Sequence, residues 1–70
     1  MNVIGAERTR YGWTQKEVGE MVGVAASTVR AWENDIGSCK ASQLIALSNI
    51  FGGVSVDYLL GIEEERRVRR

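Results

Sequence analysis

The chain contains no proline, so every break in its 70 residues must be made by another residue type. Glycine is the residue that does this, because it reaches backbone conformations closed to the others. Gly12, Gly23, Gly37, the pair Gly52-Gly53 and Gly61 cut the sequence into five short segments. Each reads as helical by the spacing of its apolar residues. Ile4, Arg8 and Tyr11 fall on one face of the first; Val18, Met21 and Val22 on one face of the second. Val29 and Trp32, with Ala25 behind them, share a face of the third; Ala41, Leu44, Leu47, Ser48 and Phe51 form the stripe of the fourth. In the fifth, "SVDYLLG", Val56, Leu59 and Leu60 turn inward. Period-two alternation is sustained nowhere, so the fold class expected is all-α.

A chain of this length hides only roughly 60% of its unfolded surface, which leaves room for one small domain. Cys39 is the lone cysteine and no histidine occurs. Disulfide frameworks, zinc sets and a base-activated cysteine nucleophile are therefore all excluded, and Cys39 reads as a filler residue of a reduced, cytoplasmic protein. There is no signal-peptide pattern, no apolar run of membrane-spanning length, and no dinucleotide or phosphate-loop motif. Neither cofactor nor small-molecule ligand is indicated, and for want of a convergent catalytic set the chain does not read as an enzyme.

Several helix ends can be assigned. Thr14-Gln15-Lys16-Glu17 is a capping box that opens the second helix. Ser38 and Ser55 are the expected N-caps of the fourth and fifth. Ala25 is a weak cap for the third, with Ser27 and Thr28 in its first turn as partial compensation. Asn34 or Asp35 is expected to close it in the left-handed conformation. Trp13, just before a cap, stands where a hydrophobic staple belongs, and Trp32 lies on the inner arc. Both are therefore expected in the core rather than as stacking platforms for single-stranded nucleic acid.

The second and third segments carry the functional signal. Gly19 is a small residue where a second helix could cross closely, and Gly23 supplies a turn residue free to take positive φ. Val24 after the turn, with Val29 and Trp32 inside the third helix, supplies that helix with a buried inner side. On its opposite side stand Ala26, Ser27, Arg30, Ala31 and Asn34. A solvated face would more often carry paired Glu and Lys. Small and hydroxyl-bearing residues instead allow close approach, and their methyl groups can touch a thymine methyl, while Arg30 can reach a guanine edge or a phosphate. The competing explanation is that Ala26 and Ala31 are simply good helix formers. The pattern is that of a helix-turn-helix, whose second helix enters a major groove.

Together "ERTRYGWTQKEVGEMVGV", "STVRAWEN" and "VSVDYLLG" resemble the Cro and phage-repressor type of helix-turn-helix domain, the XRE family. The likeness runs from residue 2 to residue 62. It implies a compact five-helix domain over residues 1–62, followed by a charged tail over 63–70, that binds double-stranded DNA as a small transcriptional repressor. By position, it implies that Gln15 holds a phosphate with its amide and side chain, and that Lys16 adds charge. Ala26, Ser27, Thr28, Arg30 and Ala31 fall where base and backbone contacts lie in the family, and Asn34 shares that face. Arg8 and Glu33 match a family ion pair joining the first helix to the third. A homodimer on DNA is implied, with the "VSVDYLL" edge as its contact. No second domain is visible in the 70 residues, so regulation would act by occupying DNA or through a partner.

Two departures qualify the likeness. The loop "NDIGSCK" has Asp35 and Ile36 where the usually basic loop of the family commonly has Gly and a cation, and leaves Lys40 as its one cation. "FGGVS" holds one glycine more than the usual turn, which implies a shifted fifth helix. The charge balance departs as well. The whole chain is formally neutral, residues 1–62 are net −1, and the tail "EEERRVRR" is net +1. Nucleic-acid binders usually show a basic excess. A protein-interaction module, such as an antitoxin or adaptor with weak DNA affinity, is therefore the alternative function. In the tail, Glu63 with Arg67 and Glu65 with Arg69 are spaced to pair along a helix.

Overall fold

The computed structural model describes residues 2–62. The tail and its expected ion pairs lie outside the described residues. Five α-helices follow one another: α1 (Val3–Tyr11), α2 (Gln15–Val22), α3 (Ala26–Asn34), α4 (Ala41–Ile50) and α5 (Val56–Leu59), with a 3₁₀ turn at Ile36–Ser38 before α4. No strand occurs among the described residues, and none of their helices is long and apolar enough to cross a membrane.

One core joins all five. Ile4, Val18, Val29, Trp32, Cys39, Leu44, Leu47, Phe51 and Leu59 are buried together. Burial pushes the Cys39 thiol up to about 11, so it stays protonated and inert near neutral pH, as a filler residue should. Trp32 is fully enclosed. Trp13 is half-buried and stacks on Tyr11 at 4.6 Å, and Phe51 lies about equally near both rings, 6.1 Å from Trp13 and 6.0 Å from Tyr11. Five residues placed on the inner faces by periodicity are exposed: Tyr11, Met21, Ala25, Ala41 and Leu60. Each lies in the outermost turn of a helix or just outside one, where a wheel extrapolates beyond the surface that the core covers.

Helix ends are set by local hydrogen bonding, with three corrections. Asn2 caps α1 by accepting from the Gly5 amide at 3.3 Å, and Gly12 closes it in the left-handed conformation. The capping box of α2 is complete: the Glu17 amide donates to Thr14 Oγ1 at 3.0 Å, and the Thr14 amide to Glu17 Oε1 at 2.7 Å. Ser55 caps α5 by accepting from the Tyr58 amide at 3.0 Å. Neither Asn34 nor Asp35 closes α3 in the left-handed conformation, because Asp35 is extended at φ −152°. Its carboxylate instead accepts from the Gly37 amide at 3.0 Å and starts the 3₁₀ turn. That turn absorbs Ser38, so Ser38 does not cap α4; Lys40 occupies the cap position, and Gln43 reaches back to accept from its amide at 2.8 Å. The third helix starts at Ala25 with no side-chain cap, so Ser27 and Thr28 do not compensate for it.

Candidate nucleic-acid interface

Two glycines, for opposite reasons, seat α3 against α2. A Cβ on Gly19 would lie 2.5 Å from the Val24 carbonyl oxygen, closer than side chains tolerate. Gly23 has open space around it but sits at φ +83°, where any Cβ is strained. The Gly23 and Val24 amides both donate to the Gly19 carbonyl at 2.8 Å, which ends α2 and turns the chain into α3. Val29 and Trp32 then face the core, and the outer side of α3 is left uncovered.

That outer side carries Ser27, Arg30, Ala31 and Asn34, all exposed. Ala26 and Thr28 are half-buried at its edges, so Ala26 is less accessible than the wheel implies and Thr28 less than the family resemblance implies. Lys16 is exposed on the first turn of α2, and Lys40 is exposed at the start of α4. Among the described residues the ion pairs are Arg8–Glu33 and Arg10–Glu7. Lys16, Arg30 and Lys40 thus pair with no carboxylate among the described residues, whereas Arg10 is held by Glu7 at 2.9 Å and lies over the Tyr11 ring.

A polar network fixes α3 from behind. Arg8 Nε donates to Glu33 Oε2 at 2.5 Å and its Nη2 donates to Oε1 at 3.1 Å, the two-pronged arrangement that suits guanidinium and carboxylate. The third prong, Nη1, donates to the Trp13 carbonyl at 2.8 Å. The Glu33 carboxylate raises the Arg8 pKa above its already high ordinary value, so the guanidinium stays charged. Asn2 Nδ2 donates to the Trp32 carbonyl at 2.7 Å and ties the start of α1 to the end of α3. The ion pair expected from the family resemblance is therefore present in the geometry.

Gln15 departs from its expected pose. It stands at the first position of α2, but its side-chain Nε2 is turned toward Glu33 Oε1 at 3.3 Å. A carboxylate can only accept, so the nitrogen end of the amide must face it. Further contacts between distant residues carry no sequence signal. Glu7 is buried and accepts from Arg10 and from the Tyr58 hydroxyl, the latter at 2.7 Å across 51 residues. The Arg10 hydrogen bond lowers the Glu7 pKa; burial opposes this and the Tyr58 hydrogen bond supports it. Long-range partners of this kind leave no trace in spacing. The Asn2 bond to α3 is equally invisible, although a capping residue ahead of α1 is a readable sign.

No cluster of three or more potential metal ligands occurs among the described residues. Comparison with known proteins finds that the helix-turn-helix family model matches residues 4–59. The HTH-type transcriptional regulator ImmR of Bacillus subtilis (strain 168) is 37% identical over 57 residues, covering 81% of this chain and 44% of that protein. The chain thus spans less than half the length of that relative. No solved structure shows a significant match.

Proposed function

This chain belongs to the helix-turn-helix family of the Cro and phage-repressor type, and on that premise we propose that it binds double-stranded DNA through the major groove and represses transcription. One observation carries the proposal: α3 is locked on its inner side and leaves Ser27, Arg30, Ala31 and Asn34 exposed together. That face is small, polar and free of acidic side chains, which suits close approach to base edges. Arg30 reads a base or holds a phosphate. Lys16 and Lys40 anchor the backbone, and the Gln15 amide at the helix start adds an oriented donor. Ala26, Ser27 and Thr28 supply apolar and hydroxyl contacts.

One α3 spans a half-site, so two copies engage sites about 10 base pairs apart. Of the apolar side chains in the "VSVDYLL" stretch, only Leu60 is exposed, so that edge contributes less to the dimer than the resemblance implies. With two or three phosphates neutralised per protomer, log K of the dimer falls with log salt at a slope of about −4 to −5.

The test is a binding selection from genomic fragments, and then affinity against salt for the parent, Arg30→Ala and Ser27→Glu. Arg30→Ala loses affinity and flattens the slope. Ser27→Glu, which sets a carboxylate against the groove on an exposed position, abolishes binding while the domain stays folded. Full affinity in Ser27→Glu transfers the lead to the protein-interaction reading, which the net charge of zero favours.

A further inference from the structure

We propose that Glu33 is a positioning residue for DNA binding: it aims the Gln15 side-chain amide at a phosphate from behind. The inference rests on the DNA-binding reading above and deepens it. Gln15 is half-buried at the start of α2, and one N–H of its amide is committed to Glu33 Oε1. An amide nitrogen carries two protons. The second has no acceptor among the described residues, and Gln15 stands in the first turn of α2, whose leading backbone amides have no partner within the helix. The first position of α3 is Ala26, which offers Gln15 no polar partner, so the far end of α3 supplies one.

The arrangement has a cost that the structure removes. A bare carboxylate behind a phosphate clamp would repel the phosphate. Arg8 cancels that charge with two hydrogen bonds and is itself held by the Trp13 carbonyl. The series Trp13 carbonyl, Arg8, Glu33, Gln15 is thus a braced strut with no net charge. It restricts the Gln15 rotamer before DNA arrives, and a donor already in place loses less entropy on binding.

The experiment replaces both charges at once, so that no uncompensated buried charge remains to unfold the domain. Arg8→Met/Glu33→Gln keeps an acceptor oxygen for Gln15, whereas Arg8→Met/Glu33→Leu does not. Each pair is built with Gln15 and with Gln15→Ala, and affinity is measured on a duplex selected by the parent, at a temperature where thermal scans show every protein folded. With Gln15 present, the Leu version binds about threefold to tenfold more weakly than the Gln version, the worth of one net hydrogen bond. With Gln15→Ala the two bind alike. In the DNA-free domain, the Gln15 side-chain amide protons exchange faster in the Leu version. A parent that binds no duplex overturns the DNA reading and this proposal with it. A parent that binds, with the same Gln-to-Leu loss in both Gln15 backgrounds or with unchanged Gln15 amide exchange, overturns this proposal alone.

Discussion

The two helices that pack on α1, α3 and α5, are tied to it by neighbouring residues and by different physics. Arg8 reaches α3 through a bidentate pair whose side chains are 16% and 8% exposed. Glu7 reaches α5 through the Tyr58 phenol, and its charge is balanced by Arg10, whose side chain is 62% exposed. The first tie is a charge pair shielded from water; in the second, the cationic partner is in water and the inter-helix link is an uncharged phenol donating to the Glu7 carboxylate. Shielding raises the strength of an ion pair and the penalty of breaking it from one side, whereas an exposed pair is worth little. The proposed reading helix is therefore held stiffly, and the last helix more loosely.

The largest effect expected is on the α3 tie. Arg8→Met strands the Glu33 carboxylate and should destabilise the domain by about 3 kcal/mol, the low end for an enclosed pair because its rim is wet. Adding Glu33→Gln should recover part of the loss. A double-mutant cycle by denaturant unfolding measures this, and a coupling near zero shows that the two ties are equivalent after all.

The seating of α3 gives the next effect. Gly19→Ala drives a Cβ into the Val24 carbonyl and should cost about 2 kcal/mol through forced separation of the helices. Gly23→Ala has room but wrong φ and should cost about 1 kcal/mol. The order of the two is the test. If Gly23→Ala proves worse, backbone strain rather than close approach limits the α2–α3 junction.

The same contrast explains which features are legible in the sequence. The capping box at Thr14 to Glu17, the paired roles of Gly19 and Gly23, and the inner arc of Val29 and Trp32 all lie within one or two helical turns, where spacing carries geometry. The Arg8–Glu33 pair spans 25 residues, and it is legible only because the family resemblance places it. On the α5 side the determinants are distant. Glu7 finds Tyr58, and Phe51 at the end of α4 lies within 6.0 Å of the Tyr11 ring. Neither can be read from local pattern, and Ser38 looks like a cap in the sequence only because the 3₁₀ turn that claims it does not show there. On the candidate interface, exposure of Ser27, Arg30, Ala31 and Asn34 is given by period alone. The turn of Gln15 toward Glu33 is not, since it depends on where the end of α3 returns.

On the weaker tie, Tyr58→Phe removes the phenol that donates to Glu7. The cost should be about 1.5 kcal/mol, the low end for a hydrogen bond to a charged group. It should appear locally: amide exchange at Leu59 and Leu60 should quicken while the α2 and α3 amides keep their protection. Uniform loosening of every helix would mean that α5 is part of the same cooperative unit as α3, and the contrast between the two ties would fail.

The smallest effect is a pH dependence of the α5 tie. Glu7 is held below its ordinary 4.5, first by the Arg10 hydrogen bond, against burial, and then by Tyr58. A carboxyl whose folded pKa is depressed binds protons more readily when unfolded. Its contribution to stability is therefore present in full above the unfolded value and is lost as pH falls through the folded one. Glu7→Gln lacks that contribution at every pH. The difference in unfolding free energy between parent and Glu7→Gln should hence be constant near neutral pH, shrink once pH drops below about 4.5, and level off below the folded pKa. Denaturant unfolding of the two proteins between pH 7 and 3 checks the point. Parallel curves for parent and Glu7→Gln would show that Glu7 is not held in its charged form by Arg10 and Tyr58, and the α5 tie would then rest on apolar packing of Leu59 alone.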